Sequence, residues 1–99
     1  MTRPVRIIEV EPLDELSVRL TFSDGLVREL NLEPMLEGSA FEPLRNPVEF
    51  ARAFVDDVAG TVTWPSGIDL DPDVLHGDHS PATGQSPHVL REYTLRQTG

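Results

Sequence analysis

Seven consecutive residues alternate strictly between apolar and polar side chains, and this alternation constrains the fold more than any other feature. Apolar side chains occupy the even positions from Leu16 to Phe22, and serine, arginine and threonine occupy the odd positions between them. A period of two places the apolar side chains on one face of a β-strand, which buries that face and exposes the other. Leu26, Leu30 and Leu32 resume the alternation after a Ser-Asp-Gly turn at 23–25, so the sequence predicts a hairpin.

The loop of this hairpin follows from the register that keeps the apolar side chains together. A two-residue turn would place Leu26 and Leu30 on the polar face. A three-residue loop, with Gly25 in the left-handed conformation of a G1 bulge, instead pairs Val18 with Leu30 and leaves only Leu20 opposite a polar residue. Because burial of each leucine contributes about 2 kcal/mol, we predict the bulged three-residue loop.

Shorter patterns predict further strands and turns around this hairpin. A β-branched run between Pro4 and Pro12 indicates a first strand. Single helical turns are expected over 34–38 and 39–44, the second placing Phe41 and Leu44 against the core. A second hairpin is expected around Ala59-Gly60, with an outgoing strand over 61–64 and a register that several pairings satisfy.

The best helix start is Asn46-Pro47. Asn46 is a favourable N-cap, proline suits the first helical position, and Glu49 is placed to reach back as in a capping box. Phe50, Ala51 and Phe54 would supply the apolar face of about two turns.

An irregular connection follows the second hairpin. Trp64-Pro65 ends a strand, Gly67 is free to adopt a positive φ, and Asp71-Pro72 is typical of a cap and first residue of a final helical turn that Gly77 ends. The single tryptophan has two interpretations. It is either a core side chain between sheet and helix or an aromatic anchor exposed at an interface.

The remainder of the chain has few hydrophobic residues. We therefore divide the sequence into one α+β domain over 1–75 and a polar, mobile C-terminal tail over 76–99, because the tail cannot bury enough surface to offset its ordering entropy. A segment over 89–97 could form a helix on a partner. The predicted fold is a small antiparallel sheet of hairpins packed against short helices.

Charge is distributed unevenly between these two parts. Residues 1–75 carry six arginines and fifteen acids, which gives the whole net charge of −9, and the tail is neutral with two of each. Such a surface repels nucleic acids and anionic membranes, so we expect neither as a partner. It suits a small basic protein.

Composition also excludes several classes of chemistry. The absence of cysteine rules out disulfides, thiolate nucleophiles and cysteine-ligated metals. No apolar run approaches the roughly 18 residues of a membrane span, and the first residues lack the apolar core of a signal peptide, so we expect a cytoplasmic protein. No nucleophile elbow, phosphate-binding loop or helix-turn-helix pattern occurs. We predict that the chain is not an enzyme and has no cofactor.

Two clusters have the residue types of metal sites but not the spacing. Asp69, Asp71 and Asp73 resemble the start of a calcium loop, but Val74 replaces the required glycine and Ser80 the twelfth-position acid. Two histidines flank Asp78, at positions 76 and 79, in a segment that Gly77 and Pro81 make a loop. We therefore predict no functional metal site, although the sequence leaves open whether His76 and His79 bind a metal.

Several stretches of the sequence match a known family in type and order: 6–12, 20–25, 30–32, 41–44, 47–50, 64–70 and 71–75. The most specific is Trp64-Pro65-Ser66-Gly67-Ile68-Asp69. Together they resemble a family of short bacterial proteins, domain of unknown function 2442. The resemblance implies a small α+β domain without known catalytic residues. It also implies a neighbouring gene for a protein of domain of unknown function 4160, in a toxin–antitoxin-like arrangement.

We therefore expect a protein-binding domain. It would act as the antitoxin-like partner of a small basic protein, or it would self-associate through an edge strand of the first hairpin. Longer relatives carry a C-terminal helix-turn-helix, for which this tail is too short and too polar. The alternative is a small-ligand or metal-binding module. The candidate interaction or ligand surface comprises Trp64, Gly67, Asp69, Asp71 and Asp73.

Overall fold

A four-stranded antiparallel sheet organises the fold in the computed structural model, which describes residues 5–77 and 86–95. Its strands, in spatial order, are β1 (Ile7–Pro12), β2 (Ser17–Phe22), β3 (Leu26–Asn31) and β6 (His88–Thr94). A separate hairpin consists of β4 (Phe54–Asp56) and β5 (Thr61–Thr63). The described helices are two 3-10 helices, Glu33–Met35 and Ser39–Arg45, and two α-helices, α1 (Pro47–Phe50) and α2 (Pro72–His76). The α+β architecture is as predicted.

The register of the first hairpin confirms the bulged loop. Val18 lies opposite Leu30, and Leu20 lies opposite Arg28. Gly25 has a φ of 90°, and its N–H donates to the carbonyl of Phe22 at 3.0 Å. Burial of one sheet face therefore determined the loop length, as expected from the alternation.

The core lies between that face of the sheet and the elements that follow it. Its fully buried side chains include Ile7, Val18, Leu20, Phe22, Leu30, Leu32, Leu36, Leu44, Val62, Trp64 and Leu75. The second hairpin places Val55 opposite Val62, which resolves the register that the sequence left open. No described helix is long and apolar enough to cross a membrane.

The start of α1 is as predicted, but its length is not. The side chain of Asn46 accepts a hydrogen bond from the N–H of Val48 at 2.9 Å, which confirms the N-cap. The carboxylate of Glu49 accepts from the N–H of Ser66 at 3.0 Å, so the predicted capping box is absent. The helix ends at Phe50, and Phe54 lies in β4 with 44% of its surface exposed.

The chain turns at the end of α1 instead of continuing the helix. The carbonyl of Phe50 accepts from the N–H of Ala53 at 3.3 Å and from the indole N–H of Trp64 at 3.0 Å. Phe54 lies opposite Thr63 in the second hairpin. The expectation that Phe54 shares an apolar helical face with Phe50 was therefore wrong.

The sheet extends beyond the predicted domain boundary at residue 75. Within the predicted tail, residues 88–94 form β6, which pairs with β3 from Leu26↔Thr94 to Asn31↔His88. In the chain alone the described part of 89–97 is extended, and a helix formed there on a partner stays a prediction. Residues 78–85 and 96–99 of the predicted tail lie outside the described residues.

Candidate functional site

The predicted surface around Trp64 is divided between the core and the exterior. Trp64 is 1% exposed and lies 5.8 Å from the ring of Phe50, so it is the core side chain of the two interpretations. Its peptide N–H donates to the carbonyl of Ile68 at 2.9 Å, and Gly67 turns the chain with a φ of 92°. The loop therefore continues the β4–β5 hairpin, as the bridge between Thr63 and Asp69 also indicates.

The three aspartates of this region have structural contacts or face the solvent. Asp71 caps α2, because its side chain accepts from the N–H of Asp73 at 2.9 Å. Asp69 is exposed. Among the described residues, no group of three or more histidines and acids is placed to hold a metal ion. The role of Gly67, Asp69, Asp71 and Asp73 as an interaction surface stays a prediction.

His76 is the last residue of α2 and contacts the first hairpin. Its Nε2 lies 2.7 Å from a carboxylate oxygen of Asp24, and its ring meets Phe22 edge-on at 4.9 Å. Arg28 adds a second link by donating to the carbonyl of Leu75 at 2.7 Å. These contacts give His76 a structural role, whereas Asp78 and His79 lie outside the described residues.

A groove of about 440 Å³ lies beside the β1–β2 connection. On one side it is lined by the connection itself, from Pro12 to Leu16, and on the other by the end of the second 3-10 helix and by α1. The residues on that second side are Arg45, Pro47, Phe50 and Ala51. We call this feature the turn groove. It has an apolar floor and a charged rim.

The wall of the turn groove is conformationally strained. Glu15 and Leu16 both have a φ of 58°, in the left-handed region that costs a non-glycine residue about 1–2 kcal/mol. Surrounding bonds hold this conformation. The amide of Asn31 donates to the carbonyl of Glu15 at 2.9 Å, and Leu32 donates to the carbonyl of Leu16 at 2.9 Å. Backbone strain held in this way is concentrated at functional sites.

Charge at the rim of the turn groove is predominantly negative. Asp14 and Glu15 are exposed, and neither forms an ion pair within the described part of the chain. Arg45 faces them from the other wall, with its guanidinium donating to the carbonyl of Leu36 at 3.2 Å. Glu42 and Glu37 lie on the same stretch of chain as Arg45 and are also exposed. The turn groove can thus receive a segment whose apolar side chains lie beside a positively charged one.

The arginines of the sheet, by contrast, already form ion pairs within the chain. Arg19 contacts Glu29 at 3.1 Å and Glu11 at 3.0 Å, and these contacts, the hydrogen bond to Glu29 first, raise the pKa of its guanidinium. Arg28 contacts Glu92 at 2.8 Å, and Arg91 lies 3.8 Å from Glu29. The positive charges of the sheet are therefore neutralised within the domain. At the turn groove the charges without an ion pair among the described residues are two acids, Asp14 and Glu15, and one cation, Arg45.

Sequence reasoning missed both the turn groove and the edge formed by β6. The turn over 13–16 was not predicted, because no residue type in it signals a positive φ. For β6 a signal was present. Residues 88–95 combine valine, tyrosine and threonine without glycine or proline, a composition that favours a strand.

Comparison with known proteins identifies a family but no function. A family model described as protein of unknown function (DUF2442) matches residues 7–78. This range ends before β6. No curated protein and no solved structure matched the chain.

Proposed function

Because this chain belongs to the DUF2442 family of proteins of unknown function, whose description names no activity, we propose a function from its own surface: it is a protein-binding module. The turn groove receives a segment of the partner that combines apolar and basic side chains. The proposal assigns the chain no enzymatic activity. The partner is a small basic protein, and the complex resembles that of an antitoxin-like protein with its target in the bacterial cytoplasm.

The single observation that carries this proposal is an apolar groove with unpaired carboxylates at its rim. Apolar contacts supply most of the affinity of protein interfaces, whereas complementary charge increases the association rate and selects the partner. Asp14 and Glu15 would contact the basic side chains, and Leu16 and Phe50 would contact the apolar ones. The net charge of −9 attracts a basic protein to the domain from a distance.

Rigidity of the turn supports the same interpretation. The carbonyl of Glu15 accepts hydrogen bonds from the amide of Asn31 at 2.9 Å and from the hydroxyl of Ser17 at 3.3 Å. The carboxylates of Asp14 and Glu15 are therefore presented by a backbone that is ordered before the partner arrives. An ordered binding surface loses less conformational entropy on association than a flexible one.

Capture from the native host, followed by measurement with purified components, tests the proposal. Tagged protein is used at low salt, and the captured small basic protein is then purified and its Kd measured. We expect the affinity to fall steeply as the salt concentration rises. The double variant Asp14→Asn/Glu15→Gln should weaken binding roughly tenfold or more, since two charge contacts are lost.

Two control variants locate the contact. Asp57→Asn removes an exposed carboxylate in the β4–β5 turn and should leave the Kd unchanged. Asp69→Asn/Asp73→Asn removes two charges from the surface that the sequence suggested. Equal weakening by all the variants would indicate a general charge effect, and weakening by the Asp69/Asp73 pair alone would place the contact on that surface. Either result, or capture of no basic protein, would refute the turn groove as the binding site.

A small apolar ligand is the second candidate for the same groove. Its volume of about 440 Å³ lies within the range of small-molecule pockets, which is about 300–1,000 Å³. A ligand of this kind would raise the thermal stability of the isolated domain with concentration. The substitution Ala51→Trp, which fills the groove from α1, should abolish that shift.

A further inference from the structure

The outer edge of β6 has no neighbouring strand among the described residues. The N–H of Leu95 donates to the carbonyl of Gly25 at 2.8 Å, on the side of β3. Because backbone groups of an antiparallel strand alternate in direction, those of Glu92 and Thr94 point to the opposite side, away from β3. Within the regular stretch from Arg91 to Leu95, the outward N–H and C=O groups of Glu92 and Thr94 therefore have no partner strand among the described residues.

The opposite edge of the sheet is protected. The N–H of Ile7 in β1 donates to the carbonyl of Gly60 at 2.9 Å, and the guanidinium of Arg6 donates to the carbonyl of Asp57. A register shift between Ile7 and Glu9 and a proline at the end of the strand interrupt β1 further. Natural sheets use such devices to prevent pairing with other chains. The predicted edge strands of the first hairpin, β2 and β3, are both internal, so that prediction was wrong.

The side chains of β6 suit association rather than solubility. All seven of its residues are exposed, and Leu90, Tyr93 and the adjoining Leu95 are 50%, 37% and 51% exposed. The strand contains no lysine or proline. Its two charged residues lie within ion-pair distance of partners in the same chain, Arg91 of Glu29 and Glu92 of Arg28. Their charges also cancel, so this edge offers no net charge to attract a basic partner.

We propose that β6 pairs antiparallel with β6 of a second copy of this chain, to form a continuous eight-stranded sheet. Tyr93 lies opposite Tyr93 of the second copy. Glu92 and Thr94 exchange backbone hydrogen bonds with Thr94 and Glu92 of that copy. This dimer uses a surface separate from the turn groove and does not depend on the function proposed there.

Symmetry and charge select this register. A two-fold axis normal to the sheet keeps the same face of the sheet on the same side in both copies. In an antiparallel pair of identical strands, such an axis passes beside one residue, and that residue lies opposite the same residue of the other copy. An axis beside Arg91 or Glu92 would oppose like charges, which is destabilising. An axis beside Tyr93 opposes two aromatic rings and pairs the whole stretch from Arg91 to Leu95. An axis beside Thr94 pairs a shorter stretch of the described residues.

The hydrogen-bond pattern agrees with that register. The backbone groups of Tyr93 point toward β3, so the tyrosine pair is of the non-hydrogen-bonded type, in which side chains approach more closely. Glu92 and Thr94, whose groups point outward, then form the hydrogen-bonded pairs on either side. Arg91 lies 4.8 Å from the ring centre of Tyr93 in one copy and would cover the aromatic pair.

Sedimentation of the full-length chain tests the dimer. We expect a species of twice the 11.0 kDa chain mass whose fraction grows with protein concentration and with salt. Salt strengthens this association because it screens the repulsion between two chains of charge −9, whereas it weakens binding of a basic protein to the turn groove. The opposite response to salt therefore distinguishes failure of the dimer from failure of the proposed binding at the turn groove.

Two variants test the strand. Thr94→Pro removes an N–H that points away from β3 and is not used within the domain, and Tyr93→Lys places two positive charges beside the axis. Each should raise the dimer Kd roughly tenfold or more while circular dichroism stays unchanged. The matched control is Val58→Lys, at a side chain that is 92% exposed in the β4–β5 turn, and it should not change the Kd.

Three results would overturn the proposal. A monomer at about 0.5 mM protein in about 0.5 M salt would do so, since screening is then nearly complete. A dimer that survives Tyr93→Lys would place the interface elsewhere, and so would a dimer weakened equally by Val58→Lys. If Thr94→Pro disturbs the fold, Tyr93→Lys decides alone.

Discussion

Trp64 links the end of α1 to the loop that follows β5. Its indole N–H donates to the carbonyl of Phe50, its ring packs near the Phe50 ring, and its peptide N–H donates to the carbonyl of Ile68 within that loop. Burial of a tryptophan requires a partner for its N–H, and the carbonyl of Phe50 is that partner. One residue therefore contributes to both the core packing and the loop.

Replacement of Trp64 by phenylalanine should destabilise the domain. The change removes the hydrogen bond to Phe50 and leaves a small cavity, so we expect the free energy of unfolding to fall by about 1–3 kcal/mol. Urea denaturation followed by circular dichroism measures it. A change below about 0.5 kcal/mol would contradict the packing described for Trp64.

The carboxyl of Asp24 gives stability a predictable pH dependence. Burial raises its pKa, but a hydrogen bond from the N–H of Leu26 and the contact with His76 lower it by more, so that the pKa lies below its ordinary value of 3.8. A lowered folded pKa stabilises the protein above the ordinary value, and that contribution is lost as the pH falls through the folded pKa.

Comparison with Asp24→Asn isolates this effect. At neutral pH the wild type should be more stable than the variant, and the difference in free energy of unfolding should shrink between about pH 5 and pH 2. Chemical denaturation at several pH values measures it. A difference that stays constant over this range would contradict a lowered pKa.

Relief of the strain at Glu15 should stabilise the fold. Glycine adopts a φ of 58° without a steric penalty, so Glu15→Gly should raise the free energy of unfolding by about 0.5–1 kcal/mol, after subtraction of the extra conformational entropy that glycine loses on folding. Glu15→Gln removes the same charge but keeps the strain, and is the control. Equal stability of the two variants would show that the turn stores no strain.

The elements that the sequence predicted well are those in which one local signal acts alone. The alternation from Leu16 to Phe22 determined the hairpin register, and Asn46 and Asp71 cap their helices through side-chain hydrogen bonds within two residues. The length of α1 was missed because the residues that contact its end and pair with Phe54, Trp64 and Thr63, come later in the chain. β6 was missed because its partner strand β3 lies far earlier in the chain, with Val27 opposite Tyr93.

The same distinction applies to the candidate site. The sequence left two interpretations of Trp64 open, and its burial selects the core one, so its side chain does not belong to an exposed interaction surface. The turn groove could not be predicted, since its two walls, near Glu15 and Arg45, are thirty residues apart in the chain. The positive φ at Leu16 depends on hydrogen bonds from β3 and the residue after it, which no local pattern indicates.

Removal of β6 tests whether the strand belongs to the domain. A chain that ends after Gly77 exposes Val27, which is 2% exposed beside Tyr93, and breaks the contact between Arg28 and Glu92. We expect the free energy of unfolding to fall by roughly 2 kcal/mol, mostly from the valine. Thermal and urea denaturation of the two chains measure this. Equal stability would instead support a domain that ends at residue 75.

In the whole molecule, charge and geometry distinguish two surfaces. The arginines of the sheet are paired within the chain, whereas Asp14 and Glu15 at the rim of the turn groove form no ion pair with a described residue, so we expect that rim to attract a basic protein. The β6 edge is neutral and carries exposed apolar side chains. Salt should therefore act in opposite directions at the two surfaces, weakening the first and strengthening the second.

The central claim is that this protein binds a basic partner at the turn groove, and an amide-resonance footprint tests it most directly. Isotope-labelled protein is titrated with the purified small basic protein captured from the host. We predict that the shifts concentrate at Leu13, Asp14, Glu15, Phe50 and Ala51. Shifts confined to residues 67–73 or to β6, with the groove resonances unmoved, would contradict the account.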